Sequence, residues 1–388
     1  MKFLHTADWH IGKKINGFDL LDEQYHAFKK IVEIAKEEAV DGIIIAGDLY
    51  DSAIPSVAAV KAFDEMLMTL NIDEEFPIYA ISGNHDGANR LNFGNSWLAK
   101  NELYLHTKLS EAFTPIETED TQIFLLPFFD PIDARIYYGD KDSVEMRSIN
   151  EAMARIVEDM EKLFNPAKKQ ILVTHFHVIG QKNQEYELTS ETTSTVGGLR
   201  AVSGQLFENF DYVALGHLHL WQASPDEMIR YSGSPIKFNT KEAKNKKGVY
   251  IVDLDNKEEP TRFIEIPPHK DLIVLKGTYE ELIAPEFYEK QPEKGTAFFS
   301  IKLTTRPTEK NVRQVLNSIY GDILELQYHL ESVEGNWSVD ALKERTVMNE
   351  TELIESFYQE TMREEGLTAR QMKWVEEVFT DIRKGEEK

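Results

Sequence analysis

The sequence predicts an α/β protein, a two-layer β-sandwich flanked by helices, followed by a small α+β domain and a C-terminal helical hairpin. Three observations carry that expectation. Short apolar runs alternate with helix-period segments from residue 2 to residue 175, as strands packed under helices do. Two later runs, 228–232 and 248–254, have no helical pattern between them and suit a second sheet layer. Beyond about residue 270, three alternating segments enclose one helical stretch, and from about Trp337 the pattern is helical only.

At 388 residues the chain is too long for one ordinary core and calls for two or three domains. We divide it at 1–268, 269–335 and 336–388. Lys2, His5 and Asp8 interrupt the N-terminus too early for a signal peptide, and no apolar run approaches the length of a membrane span, so a cytoplasmic protein without membrane contact is expected. Cysteine is absent, which excludes disulfides and thiolate metal sites. Any metal must then be held by His, Asp, Asn or Glu. The net charge of −24 argues against nucleic-acid binding by the whole surface and leaves room for a local site, where divalent cations would offset the acidity.

Taken in order, residues 2–7 read as a buried strand that delivers Asp8 and His10. These lie at positions i and i+2, on the same side of an extended segment. Residues 21–39 form a core-facing helix through Phe28, Ile31, Ile34 and Ala35. The run 42–46, apolar on both faces like a central parallel strand, ends in Gly47-Asp48. A second helix over 57–70 presents Val57, Val60, Phe63, Met66, Leu67 and Leu70. The strand 77–82 then delivers Gly83-Asn84-His85-Asp86.

Residues 122–126 are a further strand, and 149–164 a helix with Met153, Ile156, Val157, Met160 and Leu163 on one side. The strand 170–174 ends in His175, and 211–215 ends in Gly216-His217-Leu218-His219. Strands at 272–276, 297–303 and 323–329, with a helix over 311–320, make the small α+β domain. In the last segment Asn349 with Glu352, and Thr368 with Gln371, are capping boxes. Leu353 and Phe357, then Met372, Val375, Phe379 and Ile382, give each helix an apolar face that such a hairpin cannot bury alone.

Asp8, His10, Asp48, Asn84, His175, His217 and His219 thus leave five strand ends, which a parallel sheet would bring to one edge. Seven oxygen and nitrogen ligands suit two ions better than one, with a carboxylate such as Asp48 bridging ions about 3.5–4 Å apart. The sulfur-free mixture favours manganese, iron or zinc over magnesium or calcium. His5, His26, His106, His269 and His329 read as surface or structural histidines and Trp9 and Phe176 as packing residues. His177 flanks the site, its position favouring His175 as the ligand.

The set Asp8-x-His10, Gly47-Asp48, Gly83-Asn84-His85-Asp86, His175 and Gly216-His217-x-His219 resembles the signature of the calcineurin-like metallophosphoesterases, over residues 1 to about 255. The fuller strings 5–12, 46–51 and 231–235, with Gln222, resemble more narrowly the nuclease subunits of bacterial Mre-type DNA repair complexes. That resemblance implies the metallophosphoesterase fold. It implies one ion on Asp8, His10, Asp48 and His219 and another on Asp48, Asn84, His175 and His217. His85 would address the phosphate or the leaving oxygen, with Asp86 orienting it.

The same resemblance implies two divalent ions, with Mn2+ favoured, and exonuclease and hairpin-opening endonuclease activity on DNA. The domain 269–335 would be a capping domain. The partners implied are an ABC-type ATPase bound through residues near 340–385 and a second copy bound through the N-terminal domain. Candidate DNA contacts are Lys13, Lys14, Arg90, Arg200 and the group Lys237, Lys241, Lys244, Lys246 and Lys247. One departure stands out: Leu220-Trp221 occupies the place of an expected Lys-Pro. The competing readings are a general phosphoesterase acting on nucleotides or phosphoproteins, and a mainly scaffolding subunit.

Overall fold

A computed structural model describes residues 1–139, 146–183, 201–328, 349–361 and 366–386. The chain forms two compact units, Met1–Tyr328 and His329–Lys388. Arg200, His329 and Trp337 lie outside the described residues.

The first unit contains two stacked sheets. One has six strands in the spatial order Thr261–Glu265, Gly248–Asp253, Lys2–Thr6, Gly42–Ala46, Ile78–Ile81, Leu103–His106, the last four mutually parallel. The other has the order Ile229–Tyr231, Tyr212–Gly216, Lys169–His175, Thr121–Leu126, Ile116–Glu117, parallel except for its final pair.

Strand alternation divides the apolar side chains between three clusters. Ile43 and Ile45 point outward to a cluster with Phe28, Ile31, Phe63 and Met66 of the helices Leu21–Glu37 and Val57–Met68. Ile44 points inward, where it meets Leu125, Val173 and Ala214 between the sheets. The outer face of the second sheet, with Phe124, Leu172 and Val213, packs on Met153, Ile156 and Met160 of the helix Ile149–Glu161. Each fully buried side chain of this size contributes about 1.5–3 kcal/mol. The sandwich is therefore what aligns the carboxyl ends of two sheets.

Three sequence expectations need correction. Only Ile229–Tyr231 of the two later runs joins the second sheet; Gly248–Asp253 returns to the first and pairs antiparallel with Lys2–Thr6. Its Val249 and Ile251 face the helices while Tyr250 and Val252 face the other sheet, so both of its sides are buried there.

The helix Val57–Met68 is rotated from the expected face. Val57 is 88% exposed and Val60 45%, while Ala59, Ala62, Phe63 and Met66 are buried. The small Ala59 admits close approach of the loop at Gly12, where an added Cβ would stand 2.7 Å from the Ala59 Cβ. Ser56 caps this helix by accepting from the Ala59 N–H. Leu163, finally, lies beyond the end of its helix and is exposed.

The α+β segment is a parallel sheet of Asp271–Gly277, Ala297–Leu303 and Asp322–Tyr328 covered by Val312–Tyr320. Leu272, Phe298 and Leu324 belong to the helix-side core of the first sheet, so the segment shares a core with the sandwich. The second unit contains Glu350–Thr361 and Ala369–Glu386. Both expected capping boxes form, Asn349 with Glu352 and Thr368 with Gln371. Leu353, Phe357, Trp374 and Val378 are exposed. Among the described residues no helix is long and apolar enough to cross a membrane.

Candidate metal centre

The loops that leave the strand ends are fastened to each other by main-chain bonds. Asp8 N–H donates to the Gly47 carbonyl at 3.0 Å, His10 N–H to the Asp48 carbonyl at 2.9 Å and Ile11 N–H to the Leu49 carbonyl at 3.0 Å. To make these bonds the chain turns left-handed at Asp8 (φ 53°), His10 (φ 44°) and Asp48 (φ 51°). The extended geometry expected for Asp8 and His10 is therefore wrong. Two closely spaced reversals, and not i, i+2 alternation, bring both side chains inward.

The expectation of one sheet edge is also corrected. Asp8, His10, Asp48 and Asn84 come from the first sheet, whereas His175, His217 and His219 come from the second. The two sets meet because the sheets touch at these ends. His175 Nδ1 lies 2.7 Å from the Ala46 carbonyl oxygen, and His217 N–H donates to Asp8 Oδ1 at 2.9 Å. A Cβ at Gly216 would stand 1.9 Å from the Ala46 oxygen, and one at Gly83 would stand 2.2 Å from Asp48 Oδ1. Only glycine fits at either crossing.

All seven expected residues converge. Asp48 Oδ2 lies between His10 Nε2 at 3.4 Å and His175 Nε2 at 3.3 Å. His10 Nε2 faces His219 Nε2 at 3.1 Å. Asn84 Oδ1 is 3.1 Å from His175 Nε2 and 3.0 Å from His217 Nδ1. Two trios, Asp8 with His10 and His219 and Asp8 with Asp48 and His175, each gather ligand atoms within 4.8 Å of one another. Asp8, His10, Asp48, His175 and His219 are all buried.

The electrostatics fit a cation. Asp8 Oδ2 is buried without a hydrogen-bond partner among the described residues, a position that costs a carboxylate several kcal/mol unless a positive charge answers it. Burial pushes the Asp8 carboxyl up in the protein alone, against the pull of His175 and His219. At Asp48 burial is outweighed by His175 and His10, and the carboxyl stays well below its ordinary range. Burial would lower His175, but Asp48 raises it to about 9. His217 is held at about 3 by burial, with His175 adding to the effect.

His85 sits half-buried beside this group. Its N–H donates to Asp48 Oδ1 at 2.9 Å, its Nδ1 lies 3.0 Å from the Asp51 carbonyl, and its ring is 4.7 Å from that of His10. Asp86 does not orient the ring as expected. Its carboxylate accepts from the N–H groups of Leu49 (3.0 Å), Tyr50 (2.9 Å) and Gly83 (2.8 Å), and so ties the loop that carries His85 to residues 49–50.

The candidate DNA contacts divide. Arg90 is exposed, and Lys14 is exposed with Asp19 3.6 Å away. Lys13 is paired with Asp51 at 2.8 Å. Lys237 is not available: its ammonium donates to Asp271 and to the Ala243 carbonyl, each at 2.6 Å. Lys247 is buried, which removes it too, while Lys241, Lys244 and Lys246 are exposed. Trp221, at the departure from the expected Lys-Pro, stacks on Phe263 at 4.4 Å beside the inter-sheet core.

Of the histidines set aside, His5 is a structural bond between the sheets, 2.8 Å from the Tyr212 hydroxyl and lowered by burial to about 3. His26 and His269 stack on each other at 5.3 Å. Two residues near the centre were missed. Asp51 lies 3.5 Å from His10 Nδ1 and had a signal in the Gly47–Asp51 string. Glu242, 3.3 Å from His219 Nδ1, had none.

Comparison with known proteins agrees with this geometry. The model of the calcineurin-like phosphoesterases matches residues 1–220, and that described as the type 5 capsule protein repressor C-terminal domain matches residues 268–362. The SbcD component of nuclease SbcCD from Staphylococcus epidermidis is 34% identical over 92% of this chain and 92% of its own length. The protein of the same name from Staphylococcus saprophyticus subsp. saprophyticus is 31% identical over 98% of each. Among solved structures, TT1561 of Thermus thermophilus aligns with 69% of this chain and 99% of its own, with a TM-score of 0.40 and 13% identity. Two matching domains in this order, and relatives that span nearly its whole length, establish that the chain belongs to the SbcD family of the calcineurin-like phosphoesterases.

Proposed function

We propose that the protein is the nuclease component of a DNA-processing complex, a metal-dependent phosphodiesterase with exonuclease and hairpin-opening endonuclease activity that works with an SbcC-type ABC ATPase. The observation that carries this reading is the meeting of seven oxygen and nitrogen ligands around the unanswered Asp8 Oδ2, in a chain of this family. Asp8, His10, Asp48 and His219 would hold one divalent ion, and Asp48, Asn84, His175 and His217 the other, Mn2+ being the ion we favour. Two such ions supply a water of lowered pKa and neutralise charge on the phosphate.

The chain's own groups do the rest. Asp48, between His10 and His175, ties the two half-sites together. His85 is the substrate-facing group, placed to bond a phosphate oxygen or to protonate the leaving sugar oxygen. Asp86 keeps its loop against residues 49–50. We further propose 1–268 as the nuclease domain, 269–335 as its cap and 336–388 as the ATPase-binding segment, in a cytoplasmic protein. The exposed Leu353, Phe357, Trp374 and Val378 support that last role.

Ile54, Val57, Phe93 and Trp97, 71–88% exposed in the N-terminal domain, support a homodimer through that domain. Arg90, exposed in the segment that follows His85 and Asp86, is the DNA contact we favour among those named. The test is cleavage of hairpin and linear duplex DNA with Mn2+, with and without the ATPase. Metal-dependent cleavage of both is expected; turnover of a model diester with DNA left intact under all conditions would overturn the DNA reading.

A further inference from the structure

Behind His219, on the side away from the other ligands, lies a buried ion pair that the proposed chemistry does not use. Glu242 is 0% exposed and Lys247 5%. One Glu242 oxygen is 3.3 Å from His219 Nδ1 and also accepts from the Asn239 amide. Its other oxygen accepts from the Phe238 N–H at 3.2 Å and stands 2.6 Å from Lys247 Nζ. Lys247 Nζ donates also to the His219 carbonyl at 2.8 Å and to Ser234 Oγ at 2.7 Å. Its three protons have three acceptors. The pair therefore grips His219 twice, by its ring and by its main chain.

Two charges buried for stability alone gain little over apolar side chains of the same size, so their retention behind a ligand asks for another reason. A carboxylate at Nδ1 fixes a histidine in the tautomer whose Nε2 carries the lone pair, and makes that nitrogen more basic. His219 Nε2 is the atom that faces His10 Nε2 at 3.1 Å. The other sheet-two ligand near the main chain, His175, has the neutral Ala46 carbonyl at its Nδ1 instead. The two half-sites thus differ in what stands behind them.

We infer that Glu242, held by Lys247, is a positioning residue for His219 that sets the affinity of the ion shared by His10 and His219. This rests on the two-ion reading above. It also bears on Leu220-Trp221: the lysine that reaches this histidine comes from far along the chain and is buried, so it orients a ligand and does not touch DNA.

The test is titration of the metal-free full-length protein with Mn2+, followed by paramagnetic resonance and calorimetry. The wild type is compared with the double variant Glu242→Gln/Lys247→Met, which removes both charges together and leaves neither buried alone. The expected result is two ions in the wild type, and in the variant about 10–100-fold weaker binding of one ion with the other unchanged. Two ions bound with wild-type affinities by the variant overturn the inference and leave the two-ion reading standing. Equal weakening of both, with a lowered melting temperature, also overturns it, since the pair would then be structural. A wild type that takes up no ion overturns both. If the variant does not fold, nitrogen-15 spectra of the wild-type imidazoles, with His219 assigned by His219→Gln, decide the matter: protonation at Nδ1 is expected, and protonation at Nε2 in the metal-free protein refutes the inference.

Discussion

Gly216→Ala tests whether the site depends on contact between the two sheets. The new Cβ would stand 1.9 Å from the Ala46 oxygen and 2.7 Å from His175 Nδ1. Ordinary contact begins near 3.4 Å, so the end of the Tyr212–Gly216 strand must retreat by about 1.5 Å. That motion breaks the His175 to Ala46 bond and pulls His217 N–H from Asp8 Oδ1, now at 2.7 and 2.9 Å.

Overpacking of this kind costs about 1–3 kcal/mol, and each lost hydrogen bond about 0.5–1.5 kcal/mol. We expect about 2–6 kcal/mol in urea denaturation and, because displacement near 1 Å at a reacting centre costs about 100-fold, a fall of at least that size in Mn2+-dependent cleavage of bis(p-nitrophenyl) phosphate. Gly17→Ala serves as the control. Unlike Gly216 it has a left-handed backbone (φ 88°), but an added Cβ there meets nothing within 4 Å, so it should carry only the backbone cost of about 1–2 kcal/mol and keep full activity. A Gly216→Ala protein with wild-type turnover and stability would refute the claim that the sheets touch here.

His85→Ala should bind Mn2+ with unchanged stoichiometry while turnover drops by about 100- to 10,000-fold, read by calorimetry beside steady-state assay. Removing residues 337–388 should abolish co-purification with the ATPase and spare cleavage of the model diester. Phe124→Ala, at a fully buried position between the second sheet and its helix, should cost about 3–5 kcal/mol in denaturation.

The ligands were legible because each follows a buried apolar run, and a core has no use for Asp-x-His or Asn-His-Asp. Which sheet each run joins was not legible. The strands Gly42–Ala46 and Lys169–His175 look alike along the chain, and their sheets are chosen by pairings far apart in sequence, such as Leu4 with Ile251. Leu103–His106 and Thr261–Glu265 were missed because edge strands of four or five half-buried residues carry little pattern. The large side chains of Val57–Met68 suggest one buried face in the sequence, whereas Ala59 and Ala62 decide how closely the helix lies. Glu242 is an acidic residue in a lysine-rich stretch and reads as surface. Only the fold turns it towards His219.

Four of the seven proposed ligands, Asp8, His10, Asp48 and His217, hold left-handed backbones, a conformation that costs an L-residue on the order of 1–2 kcal/mol. Packing and the bonds between loops must supply that energy whether or not an ion is present. Folding, rather than loading, therefore bears the work of shaping the centre. Metal uptake should be fast and accompanied by little change in circular dichroism, and chelation should silence the enzyme without unravelling it. Conversely, a remote mutation that softens the sandwich would let these four residues relax first, and would be felt as a loss of metal before it was felt as a loss of fold.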